Sequence, residues 1–206
     1  MNKKAMEHIR KDPVMAKVIE RIGPMQLRPH RLPTFQSLTQ AIIHQQLSGK
    51  AAATILSRFQ GIFGGEAFPT PKQVLRAPPK RLASAGLSRA KTSYILDIAR
   101  RSADGLLPSL EECKRMTDAE LIEQLTHIKG IGRWTAEMLL IFNLGRPDVL
   151  PVHDLGIRIG YWTAYRKRKL PEPKQLEKFG EGWAPHRTTA AWYLWKVANF
   201  LKEGEW

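Results

Sequence analysis

The sequence predicts an all-α fold. Apolar residues recur every three or four positions through most of the chain, and no stretch alternates apolar and polar residues as a half-buried strand would. Ser, Thr and Asp also stand repeatedly just ahead of the periodic runs, where helix N-caps belong. At 206 residues, the chain has room for one domain or two small interlocked lobes with a substantial core. No internal repeat or low-complexity segment interrupts it.

In chain order, Asp12-Pro13 reads as an N-cap followed by proline at the first helical position, and Val14, Val18, Ile19 and Ile22 give the helix one apolar face up to Gly23-Pro24. Residues 25–33 form a proline-punctuated connector. Thr34 is expected to cap the next helix, with Phe35, Leu38, Ile42 and Ile43 inward and an end near Gln45-Gln46-Leu47. Ser48 caps a small-residue helix over 49–59. Thr70-Pro71 and Pro78-Pro79 open two short helices. Gly86-Leu87-Ser88 ends one helix and starts a long one through Tyr94, Ile95 and Ile98. Arg89 and Lys91 sit in its first turns, against the helix dipole; a nearby phosphate would relieve that mismatch, and the competing reading is simple surface charge. Asp154 caps a helix from Leu155 to about Tyr165, followed by the basic run Arg166-Lys167-Arg168-Lys169 and the linker Pro171-Glu172-Pro173. The last helix is expected from about Pro185 to Leu201.

Composition limits the partners. Lys plus Arg outnumber Asp plus Glu by 33 to 19, a net charge of +14. Such an excess favours a polyanion, with a membrane surface as the competitor. No window is apolar for long enough to span a bilayer, and MNKKAMEHIRKD lacks the apolar core of a signal peptide. The one cysteine, Cys113, excludes an internal disulfide, a four-cysteine iron–sulfur cluster and a four-cysteine zinc site. It suits a reducing cytoplasm. No cofactor or metal is expected.

The stretch that carries chemistry runs from Thr117 to Gly160. Thr117 and Glu120 have capping-box spacing, and Leu121, Ile122, Leu125 and Ile128 form a helical apolar face. Lys129-Gly130-Ile131-Gly132 breaks that helix, and a second begins at Arg133 with Trp134, Met138, Leu139 and Phe142. A Gly-x-Gly turn between two helices leaves backbone N–H groups at the positive end of the second helix dipole, an anion site flanked here by Lys129 and Arg133. It would hold a nucleic-acid backbone without reading sequence; the competing reading is a plain helical hairpin. Asp154 follows some twenty residues later and is either only a cap or a carboxylate facing the sugar of a gripped strand.

IKGIGRWTAEMLL followed by DVLPVHDLGIR resembles the helix-hairpin-helix, Gly/Pro-Asp (HhH-GPD) superfamily of base-excision DNA glycosylases, and within it the AlkA-like 3-methyladenine DNA glycosylase II branch. FQSLTQAIIHQQLSGKAAATI, AGLSRAKTSYILDIA and WAPHRTTAAWYLW each resemble a segment of that branch in the same order, so the similarity covers about residues 34–200. It implies a single glycosylase domain over 1–206. Residues 1–33 would be N-terminal helices and connector, 34–116 a helical lobe, 117–145 the helix-hairpin-helix, and 146–206 the catalytic loop and C-terminal helices. It also implies a DNA-binding cleft between two helical lobes.

The resemblance assigns roles. Asp154 is the implied catalytic carboxylate. Lys129, Gly130, Gly132 and Arg133 hold the DNA backbone. Trp195 and Trp134, with Phe35 and Met138, line the base pocket. Gln46 is the wedge that fills the hole left by a flipped base, where an AlkA-like relative has leucine; Leu47 is the alternative. Met138 stands where that relative has tyrosine. Bifunctional members carry a lysine nucleophile just after the Gly-x-Gly-Arg turn, and this chain has Trp134 there. The expected activity is therefore monofunctional hydrolysis of the N-glycosidic bond of alkylated bases, 3-methyladenine or 7-methylguanine, in damaged double-stranded DNA. The expected form is a cytoplasmic monomer, nucleoid-associated in a bacterium. The alternatives are a non-catalytic DNA-binding module and a glycosylase for another damaged base, such as an oxidised purine.

Overall fold

Side-chain caps set most of the helix starts in the computed structural model, which describes residues 3–65, 67–204 and 206. Met1 and Asn2, the start of the stretch read for a signal peptide, lie outside the described residues. The helices are α1 (Lys3–Ile9), α2 (Pro13–Ile22), α3 (Thr34–His44), α4 (Gly49–Gly61), α5 (Pro71–Arg76), α6 (Pro79–Ala83), α7 (Arg89–Ala103), α8 (Leu110–Arg115), α9 (Asp118–Thr126), α10 (Arg133–Met138), α11 (Leu155–Ala164), α12 (Pro173–Gly180) and α13 (Arg187–Glu203). Among the described residues there is no strand. None of these helices is long and apolar enough to cross a membrane.

The chain divides into two units, His30–Leu139 and Met1–Pro29 with Leu140–Trp206. In the first, Ser48, Thr70, Ser88 and Thr117 cap α4, α5, α7 and α9 through their side-chain oxygens. Thr34 departs from expectation. It is the first residue of α3, behind Pro33, and its hydroxyl lies 3.6 Å from the buried Cys113 sulfur instead of on a helix N–H. A buried hydroxyl takes the partner within reach, and here that partner is the thiol. Ser109 and Glu112 form a capping box for α8 that the sequence reading passed over. Leu38, Ile42, Phe59, Leu82, Ile95, Ile98, Leu121 and Leu125 are fully buried and make up much of the interior.

In the second unit one carboxylate ties together distant parts of the chain. Asp12 Oδ1 accepts the Val14 and Met15 amides at 2.9 and 3.2 Å, capping α2. Its Oδ2 accepts the Tyr165 hydroxyl and, at 3.3 Å, Trp183 Nε1. Burial and the Asp12 charge push the Tyr165 phenol far above its ordinary pKa. Around this anchor Ile9, Met15, Val18, Ile19, Ile157, Tyr161, Leu176, Trp183, Tyr193 and Leu194 close a core. Helices α11 and α13 pack so tightly that a Cβ on Gly160 would lie 2.0 Å from the Leu194 carbonyl oxygen.

Two boundaries differ from expectation. The helix after the hairpin changes register at Leu139 and continues to Leu144 as a π-helical stretch, closed by the Arg146 amide donating to Leu140 O at 2.9 Å. Helix α13 starts at Arg187, two residues later than read, because residues 181–183 form a 3₁₀ turn and Ala184, before Pro185, is extended.

Candidate functional site

In the second unit, Asp154 caps α11. Its Oδ1 accepts the Ile157 amide at 2.8 Å and Trp195 Nε1 at 2.9 Å. Trp195 belongs to α13, and its ring stacks on Phe142 from the π-helical stretch, with centroids 5.6 Å apart and planes at 30°. Gly156 leaves room for the pair: a Cβ there would sit 3.0 Å from Asp154 Oδ1 and 3.1 Å from Trp195 Cδ1. Asp154 and Trp195 are both partly accessible, so the carboxylate is fixed in direction and still open to a reacting group.

The loop that delivers Asp154 is tied down from α13. Arg187 Nε and Nη2 each donate to Asp148 at 2.8 Å, one to each oxygen, and the Arg187 amide adds a third bond to Oδ1 at 3.1 Å. The Asp148 side chain thus also caps α13. Burial pushes the Asp148 carboxyl up, but the hydrogen bonds and charge of Arg187 outweigh it, leaving the group below its ordinary range. Next to it, the Thr188 hydroxyl accepts the Val149 amide at 3.0 Å and donates to Arg146 O at 2.7 Å. The sequence reading missed Asp148, Arg187 and Thr188. The available signal was that Asp148 and the Arg187-Thr188 pair fall inside two of the four recognisable blocks.

In the first unit, the hairpin forms where expected. Gly130 has φ +86°, a left-handed conformation, and a Cβ there would lie 2.4 Å from the Tyr94 ring, so both the turn and the packing require glycine. Gly132 is the N-cap of α10 and has no side-chain capping bond. Lys129 and Arg133 are exposed, and Arg133 Nε also donates to the buried Glu137 carboxylate at 2.9 Å. That pairing orients the guanidinium along the first turn. Trp134 is 44% exposed, which sets it apart from a core tryptophan; Met138 is half-buried. Phe35 is 6% exposed in the interior, edge-on to Phe68 at 6.0 Å.

Gln46 and Leu47 stand on the turn between α3 and α4, both exposed. Gln46 has φ +57°. Lys91, read above as a phosphate partner out of place against a helix dipole, instead donates Nζ to Ile43 O at 2.8 Å and Gln45 O at 2.7 Å. Its charge therefore meets the negative end of α3. Burial lowers the Lys91 pKa; burial and then the Lys91 charge lower that of His44. Among the described residues, no group of three or more His, Cys, Asp or Glu side chains is placed to hold a metal ion.

Residues 39–186 match the family model of the HhH-GPD superfamily of base excision DNA repair proteins. The chain belongs to that superfamily. Among its relatives in the HhH-GPD superfamily is DNA-3-methyladenine glycosylase 1 of Schizosaccharomyces pombe, 45% identical over 165 residues that span 80% of this chain and 72% of the relative. The alkylbase DNA glycosidase-like protein mag2 of the same yeast is 32% identical over 206 residues, spanning 98% and 97%. A solved S. pombe 3-methyladenine DNA glycosylase in complex with abasic DNA superposes with a TM-score of 0.86 at 40% identity, covering 96% of this chain and 97% of that one. The all-α architecture read from the sequence is that of this HhH-GPD fold.

Proposed function

We propose that this chain is a monofunctional DNA glycosylase that hydrolyses the N-glycosidic bond of alkylated bases, of the 3-methyladenine and 7-methylguanine type, in duplex DNA during base excision repair. The observation that carries the reading is the Asp154 carboxylate, oriented by Trp195 and by the α11 cap, in a chain 45% identical to a 3-methyladenine glycosylase.

The target nucleotide must leave the duplex before its glycosidic bond can be reached. Lys129, Gly130, Gly132 and Arg133 grip the backbone beside it, while Gln46, or Leu47 next to it, fills the vacated stack. A purine alkylated on a ring nitrogen is already cationic and leaves with little protonation. An accessible, electron-rich tryptophan face suits such a ring, which keeps Trp195 and Trp134 as the candidates for stacking on it. Positive charge develops at C1′ as the bond breaks. The Asp154 carboxylate stabilises it electrostatically and orients the attacking water. Trp134 occupies the position where bifunctional members place their lysine, so the product is an intact abasic site. One domain over 1–206 acts as a monomer in the cytoplasm, near the nucleoid in a bacterium.

The test is base release from methylated duplex DNA by wild type and Asp154→Asn. The amide keeps the size and the capping oxygen but removes the charge. Release of 3-methyladenine or 7-methylguanine by wild type and a loss of about a hundredfold or more in a folded, DNA-binding mutant is the expected result. Equal release by both proteins overturns the assignment of Asp154, and no release by wild type overturns the activity.

A further inference from the structure

The turn between α3 and α4 carries two adjacent glutamines, and the structure gives them opposite surroundings. Gln46 points outward from a residue in the left-handed conformation, which a glutamine adopts only where its surroundings hold it. Gln45 is half-buried, and its side-chain amide donates to Gly130 O at 3.1 Å and to Thr135 Oγ1 at 3.3 Å. Those two acceptors flank the Gly-x-Gly turn, one on the turn itself and one in the first turns of α10. On the backbone side of the same residue, Lys91 Nζ donates to Gln45 O at 2.7 Å and to Ile43 O at 2.8 Å, closing the C-terminal end of α3. The Leu47 amide donates to His44 O at 3.3 Å and completes the loop.

We infer that Gln45 and Lys91 are positioning residues that lock the Gln46 wedge to the phosphate-gripping hairpin, so that grip on the backbone and insertion into the base stack occur as one event. The inference rests on the functional reading above for the roles of Gln46 and the hairpin. The linkage itself stands on five hydrogen bonds, all within one unit. Gln45 touches no DNA in this scheme. It transmits position, because any shift of the Gly130 turn moves the acceptor of its amide, and its own main chain carries the peptide that leads into Gln46. Lys91 fixes the other side, so the turn cannot absorb the shift by rotating its carbonyls away. A wedge on a loose turn would lose the entropy of ordering at the moment of insertion; here the ordering is already present.

The experiment uses a duplex containing a tetrahydrofuran abasic analogue opposite 2-aminopurine, whose emission reports stacking. Wild-type protein should change the emission on binding, and Gln46→Ala should abolish most of that change, which defines the wedge signal. Gln45→Ala and Lys91→Met, with Gln46 intact, should each reduce the signal fivefold or more. Lys91→Arg, which retains donors at the same place, should restore at least half of it. Affinity for undamaged duplex, read by anisotropy, should fall less than threefold in Gln45→Ala and Lys91→Met. A wild-type signal in Gln45→Ala and Lys91→Met overturns the inference. So does a parallel fall in signal and undamaged-duplex affinity, which would mark general loss of structure. The readout needs no catalysis. A wild type that gives the Gln46- and Gln45-dependent signal yet releases no base retains the linkage and removes the hydrolytic reading. A wild type that releases base with no Gln46-dependent signal does the reverse.

Discussion

Trp195 Nε1 and the Ile157 amide converge on a single oxygen of Asp154, at 2.9 and 2.8 Å. Two donors on one oxygen, one from the backbone and one from a side chain, fix the direction of the carboxylate. Trp195, proposed as an aromatic wall, also orients the Asp154 carboxylate.

Trp195→Phe separates these roles. The phenyl ring retains stacking on Phe142 but has no donor for Asp154. A hydrogen bond to a charged group contributes about 1.5–3 kcal/mol, so single-turnover base release should fall roughly ten- to a hundredfold. The protein should remain folded, with the melting temperature lowered by no more than about 3–12 °C. A variant with wild-type release would show that the cap alone suffices to orient Asp154.

Gly160→Ala tests the seat of α11 on α13. The new methyl group would meet the Leu194 carbonyl at 2.0 Å, and backbone cannot rotate away as a side chain can. Stability in urea should fall by about 3 kcal/mol, the upper part of the range for overpacking. Gly156→Ala meets Trp195 and Asp154 side-chain atoms instead, so its main effect should be on base release.

Much of the local geometry of the candidate site was legible because local rules place it. Asp154 precedes a helical apolar run and caps it; Gly130 and Gly132 interrupt another. The Gln45 and Lys91 contacts were not legible, since they join residues 46 to 90 positions apart whose types alone suggest solvated surface. Lys91 shows the difficulty: a cation that looks misplaced on its own helix is well placed on the end of another. The part of the α13 cap that comes from Asp148, 39 residues upstream, was not legible for a similar reason. The π-helical stretch leaves no mark in the apolar spacing of LLIFNL.

The Asp148–Arg187 pair gives a pH signature. Arg187 holds the folded Asp148 pKa below its unfolded value, so the stabilisation is fully present above the unfolded pKa, near 4, and is lost as pH falls through the folded value. Asp148→Asn should lower stability at pH 7 by about 1.5–3 kcal/mol, the range for a charged hydrogen bond. The gap between wild type and mutant should narrow as pH drops below 4. A gap that stays constant from pH 7 to pH 3 would refute the pairing as its source.

A double-mutant cycle on Gly130 and Tyr94 separates clash from backbone conformation. Gly130→Ala suffers both, the ring at 2.4 Å and φ at +86°. Adding Tyr94→Ala should remove the clash and leave a residual conformational cost of about 1–2 kcal/mol. Strict additivity in thermal or urea unfolding would mean that the ring moves aside freely.

The Asp12 carboxylate has a temporal meaning as well. Its partners Tyr165 and Trp183 lie 153 and 171 residues further along the chain. At a synthesis rate of about 5–20 residues per second, α2 waits roughly 8–35 seconds for the groups that anchor it. The unit spanning His30–Leu139 is contiguous, and the longest separation among its contacts described above, Gln45 to Thr135, is 90 residues. The hairpin proposed to grip DNA and the turn proposed to carry the wedge can thus mature on the ribosome before the unit that holds Asp154 is complete.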